Sequence, residues 1–155
     1  VLLAAMRRFR EVVGVELSPV LHETAAANVA RLSAAGELRS HVRLVHGDAT
    51  SFDLPDAPLV VYLYHPFRQE LAAQVIDTLV ASIASAPRPV AVLYGHPTLQ
   101  PRYDDAIFAR HGVLARATDG ARRTRRFALG WSVWTNQAWL VDIMAQTPSP
   151  AAGEG

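Results

Sequence analysis

With 155 residues, 50% of them apolar and 19% charged, the chain is long enough for one domain with a substantial core and has an ordinary globular composition. A formal net charge of +1 gives no general reason to expect a nucleic-acid or membrane partner. The chain has no cysteine, and all 15 of its basic residues are arginine, which excludes disulfides, thiolate chemistry, a P-loop lysine and a Schiff-base lysine.

The absence of cysteine fits a reducing, cytoplasmic setting. The all-arginine usage is what a high-GC bacterial genome would give. No apolar run approaches a membrane span, and Val1 to Met6 is too short and wrongly flanked for a signal peptide. The sequence starts in mid-pattern, with Val1 to Arg10 reading as the end of a helix, as expected of a fragment or a misplaced gene start.

Val12 to Leu17 is a short apolar strand pattern that takes in a carboxylate, Glu16. Ser18 then reads as an N-cap and Pro19 as the first helical residue. Leu21, Ala25, Val29 and Leu32 fall on one helical face, and Gly36 is a C-terminal stop. Val42 to Val45 is the next strand, followed by Gly47-Asp48-Ala49. Pro58 to Leu63 is a continuous apolar run, expected to be a strand buried on both faces. Leu71, Val75, Thr78 and Leu79 mark a helix, and Pro89 to Tyr94 a further buried strand that Gly95-His96-Pro97 ends. Tyr103 to Arg110 reads as helical and Val113 to Ala117 as a strand.

Arg116 to Arg126 holds five arginines and one acid, Asp119. It could hold a phosphate, but a solvated connection explains it better, and no stacking aromatics interleave the cluster. The closing segments Phe127 to Val133 and Ala138 to Ile143 are rich in aromatic and β-branched residues and read as a hairpin or a bulged strand. Residues 145–155 are mostly Pro, Ala, Gly and Ser and are expected to be a disordered tail.

This alternation predicts an α/β fold with a sheet covered by helices on both faces. Such sheets bind ligands beyond the carboxyl ends of their strands. Three strand ends carry usable chemistry. Glu16 could accept hydrogen bonds from both hydroxyls of a ribose, although a surface glutamate at a strand end would look the same. Asp48 could accept an exocyclic amine, although Gly-Asp is also ordinary turn chemistry. Tyr62 to Phe67 closes the third such strand, with His65 at its end.

The order and spacing of these segments resemble the class I S-adenosylmethionine-dependent methyltransferases over residues 1–144, expected to form one domain. Val12 to Pro19 is similar to the family's second strand with its ribose-binding acid, and Val42 to Thr50 to its third strand and adenine-contacting Asp. Val60 to Phe67 stands where the family has its fourth-strand motif, and Trp131 to Met144 resembles its last antiparallel strand. The resemblance implies a Rossmann-like methyltransferase sheet and S-adenosylmethionine as cofactor. It implies that Glu16 binds the ribose, Leu17 flanks the adenine, and Asp48 and Ala49 contact the adenine edge.

Two departures stand beside it. The family's first strand and Gly-rich loop have no counterpart, and Val1 would lie just beyond them. That strand is central in the family's sheet, so its loss predicts a chain that is unstable, a poor cofactor binder and inactive by itself. Second, His65-Pro66-Phe67 stands where amino-methylating members carry Asn or Asp before Pro-Pro-aromatic. His65 could hold or deprotonate a nucleophile, or be a strand-end histidine without chemistry.

The methyl acceptor and oligomeric state are not legible. The six histidines show no H-x-H or H-x-x-x-H spacing, so no metal is expected. Trp131, Trp134 and Trp139 are expected to pack in the core and sheet. Two rival readings are a nicotinamide-dependent Rossmann oxidoreductase fragment, which an acidic strand end also suits, and a non-catalytic α/β interaction module.

Overall fold

Apolar residues dominate Glu11–Glu16, and this stretch forms β1 in the computed structural model, which describes residues 9–64, 68–97, 104–123 and 128–146. β1 runs parallel to β2 (His41–His46), from Glu11 opposite His41 to Glu16 opposite His46. Helix α1 (Pro19–Ala34) connects them. Its start is fixed as the sequence predicts: Ser18 is extended, its hydroxyl accepts from the Leu21 N–H, and Pro19 opens the helix. Gly36 ends it with φ at +67°, a conformation that favours glycine, while the Glu37 N–H bonds back to the Leu32 carbonyl. Of the predicted face only Leu32 is buried; Ala25 and Val29 are half-buried and Leu21 is exposed. These elements form one of two compact units, which divide after Asp53.

The second unit is a four-stranded sheet in the order β3-β4-β6-β5. β3 (Leu59–Tyr64) pairs parallel with β4 (Val90–Pro97). β6 (Ala128–Thr135) lies antiparallel to β4 and to β5 (Ala115–Arg123), which carries a register shift between Arg116 and Thr118. The mixed sheet with an antiparallel late strand is the predicted fold class. Helix α2 (Gln69–Ser85) supplies Ala72, Ala73, Ile76, Leu79 and Ile83 to a core shared with Leu63, Val90, Val92 and Tyr94. The short α3 (Asp104–Phe108) adds Ile107 and Phe108, whose ring stacks on Trp134 at 4.5 Å. Buried apolar area of this kind contributes about 25 cal/mol per Å² and dominates the stability of such a unit.

A buried arginine closes α2. Arg88 Nη1 donates to the Ser82 and Ala86 carbonyls and Nη2 to the Ser82 hydroxyl, tying the guanidinium to the last turn of the helix. The start of β4 is tied down by Asn136, whose Oδ1 accepts from the Val90 N–H and whose Nδ2 donates to the Arg88 carbonyl.

The structure departs from the sequence expectations at β3, β4, β5 and the last helix. β3 is not buried on both faces: Leu63 is buried, but Val60, Tyr62 and Tyr64 on the other face are 50%, 63% and 49% exposed. The run is uniformly apolar, so its composition does not distinguish a covered face from an open one. β4 continues through Gly95, His96 and Pro97 rather than ending before them, because β6 carries on pairing as far as Leu129. The arginine-rich stretch is not a solvated connection but strand β5 as far as Arg123. There Arg116 pairs with Asp105 at 3.0 Å and Asp119 at 3.2 Å and lies over the Trp134 ring.

Last, Ala138–Gln146 is not a strand but helix α4, packed against β5 and β6. Its first turn is set where the Gln137 N–H bonds the Thr135 hydroxyl and the Leu140 N–H bonds the Gln137 carbonyl. Trp139 on this helix is exposed rather than packed.

Candidate functional site at the carboxyl ends of β1 and β2

Parallel pairing brings the last residues of β1 and β2, Glu16 and His46, level with each other. The chain therefore leaves both strands on the same side of the unit. Four of the five residues singled out from the sequence stand there: Glu16 and Leu17 after β1, Asp48 and Ala49 after β2. The fifth, His65, lies outside the described residues.

Glu16 is half-buried, and its Oε1 accepts the Ser18 N–H at 2.8 Å. Its own carbonyl accepts the Gly47 N–H at 3.0 Å, so the two strand-end turns are bonded directly. Leu17 stands 68% exposed at the same end, a large apolar side chain with no core to enter. Asp48 caps a 3₁₀ turn, Ala49–Ser51: its Oδ1 accepts both the Thr50 N–H and the Thr50 hydroxyl at 2.8 Å. These donors, the backbone N–H first, hold the Asp48 carboxyl below its ordinary pKa. It is thus an anion at neutral pH.

Beside these turns is an open hollow of about 310 Å³ lined by Val15, Arg43, Val45, Gly47, Asp48 and Phe52, among others. The Arg43 guanidinium lies 5.7 Å from the Phe52 ring centre and bonds Glu11 through Nε at 3.3 Å. Arg43 and Phe52 were not legible from the sequence as part of this end; only the fold of residues 47–53 over β2 brings them to it. His46 was missed too. Its Nε2 lies 3.0 Å from the Leu17 carbonyl oxygen, a tertiary contact with no sequence signature.

The arrangement offers two carboxylates that can accept hydrogen bonds, an exposed apolar side chain beside them, and backbone turns at the ends of parallel strands. Among the described residues no group of three or more His, Asp or Glu converges to hold a metal ion. No helix among them is long and apolar enough to cross a membrane.

The fold has clear counterparts among solved structures. A putative methylase from Haemophilus influenzae superposes with a TM-score of 0.53 at 15% identity, over 82% of this chain and 66% of that one. The fold is that of the class I S-adenosylmethionine-dependent methyltransferases. A putative methyltransferase from Escherichia coli gives a TM-score of 0.54 at 13% identity, over 83% and 64% of the two chains. Magnesium protoporphyrin IX methyltransferase from Synechocystis, solved with S-adenosylmethionine bound, gives 0.57 at 17% identity, over 81% and 59%. The chain therefore spans about two thirds or less of the length of these methyltransferase structures. No family model matches the sequence, and no curated protein matches it.

Proposed function

We propose that the chain is part of a methyltransferase that transfers a methyl group from S-adenosylmethionine to an acceptor. The observation that carries this is the level pairing of Glu16 and His46, which sets the carboxylates of Glu16 and Asp48 at one strand-end edge in a methyltransferase fold. The donor set fits the adenosine half of such a cofactor. Glu16 retains acceptor capacity for ribose hydroxyls beyond its bond to Ser18. In this reading the Asp48 carboxylate, which has acceptor capacity beyond its bonds to Thr50, takes the exocyclic amine, Ala49 supplies backbone at the adenine edge, and Leu17 supplies an apolar flank. When bound, the cofactor supplies a methyl group already activated on a sulfonium, so the protein's task is to position and desolvate.

In this reading the first strand and Gly-rich loop come from polypeptide outside residues 1–155, and the chain by itself is not a competent enzyme. Supporting this, β3 has one edge with no strand partner among the described residues, and its Val60, Tyr62 and Tyr64 face is uncovered. An uncharged apolar edge of this kind is normally paired or covered in a native protein. His65, which follows Tyr64 directly, is assigned to the acceptor side, where an imidazole can hold or accept a proton of the nucleophile. The setting is cytoplasmic.

Calorimetric titration of a version extended upstream of Val1 tests the reading, with S-adenosylhomocysteine and NADH compared as ligands. Binding of the first and not the second is expected. Preference for NADH would move the assignment to a dehydrogenase.

A further inference from the structure

The turn that carries Glu16 is held from both sides of one peptide group. The Leu17 carbonyl oxygen faces His46 Nε2 at 3.0 Å. The Ser18 N–H, which belongs to the same peptide group, donates to Glu16 Oε1 at 2.8 Å. In a trans peptide the C=O and N–H point in opposite directions across a rigid plane. Fixing the oxygen therefore fixes the direction in which the N–H reaches the carboxylate.

We propose that His46 is a positioning residue for Glu16, acting through the Leu17–Ser18 peptide. A carbonyl oxygen can only accept, so the contact requires a proton on His46 Nε2. The chain of donors then runs one way, from imidazole N–H to carbonyl and from amide N–H to carboxylate. Each bond polarises the next in the same sense. The Leu17 oxygen is free for this because it precedes the helix: the first intrahelical bond of α1, from the His22 N–H, goes to the Ser18 carbonyl.

His46 is itself held in place. The His22 ring packs against it at 5.5 Å between centroids. The backbone of the next residue donates to the Glu16 carbonyl at 3.0 Å. Glu16 is thus fixed at its main chain by Gly47 and at its carboxylate, through one peptide plane, by His46. With the proton on Nδ1 instead, Nε2 would present a lone pair to the carbonyl and the plane would be released. The consequence for ligand binding rests on the proposed ribose role of Glu16; the relay itself does not.

The test is hydrogen exchange of the Ser18 amide, followed by NMR on the full chain without ligand, in the wild type, His46→Ala and His46→Gln. The glutamine amide nitrogen reaches about as far as Nε2 and donates in the same way. Ser18 is expected to be protected in the wild type and in His46→Gln, and to exchange about tenfold faster in His46→Ala, the loss of one hydrogen bond to a charged group. An unchanged melting temperature would separate this local release from unfolding.

A Ser18 amide equally protected in His46→Ala, or a wild-type His46 with its proton on Nδ1, would overturn the relay. Affinity for S-adenosylhomocysteine in the upstream-extended chain is expected to fall with Ser18 protection in His46→Ala and to recover in His46→Gln. Loss of affinity with Ser18 protection intact would also overturn it. If no form binds S-adenosylhomocysteine, the cofactor reading fails, and the Ser18 exchange still decides the role of His46.

Discussion

Glu16 and Asp48 were legible because a carboxylate at the end of an apolar run, followed by a capping residue or a turn, leaves few other placements for the side chain. Their partners were not legible. That Glu16 accepts from Ser18 is a local bond with no marker in the residue types, and that His46 reaches Leu17 depends on the β1–β2 register rather than on local spacing. Asp48 gives a direct test at this scale. Its folded-state pKa is depressed by the two Thr50 donors, so the stability it lends the turn is present above the unfolded aspartate pKa and lost as pH falls through the folded one. The Thr50 amide shift should therefore titrate with a midpoint below the ordinary aspartate value. In Thr50→Val, which keeps the backbone donor and removes the hydroxyl, the midpoint should move up. A midpoint unmoved by that substitution would show that the hydroxyl bond does not form in solution.

Elements with a clear period were placed correctly: α1 from its cap, proline and terminal glycine, and α2 from its helical spacing, although of Leu71, Val75, Thr78 and Leu79 only Leu79 is buried. The elements misread were those without one. Ala138–Gln146 is apolar nearly all round, so strand and helix patterns fit it equally, and the Thr135-Asn136-Gln137 bonds rather than the apolar residues decide for a helix. Asn136 at this junction holds the start of β4 through two backbone bonds. Asn136→Ala should destabilise the chain by about 1–3 kcal/mol, because both backbone partners are left in a part-buried setting, as a urea melt would show. Gly130 is a second such position. A Cβ there would meet the ring of His96, which is buried and cannot swing away. Gly130→Ala should cost about 1–3 kcal/mol by overpacking, read from the same melts.

At the scale of the whole molecule, the chain is two compact units, and its fold is that of methyltransferases of which it covers 66% and 64%. Fold class was readable because alternation of strand and helix survives in each unit. The open face of β3 was not readable, since Leu59 to Tyr64 would read the same whether covered or bare. An uncharged six-residue edge strand with three large side chains exposed should make the isolated chain self-associate. Tyr62→Lys should reduce this, seen as a smaller weight-average mass in sedimentation, and no change would show that β3 is not the sticky surface.

In the proposed function, the ends of β1 and β2 hold the adenosine of S-adenosylmethionine. Calorimetric titration of S-adenosylhomocysteine into the present chain and into the upstream-extended version, each with and without Glu16→Ala, tests it most directly. Binding is expected by the extended version, with little or none by the present chain, and loss in Glu16→Ala. No binding by either version, or binding indifferent to Glu16, would contradict it.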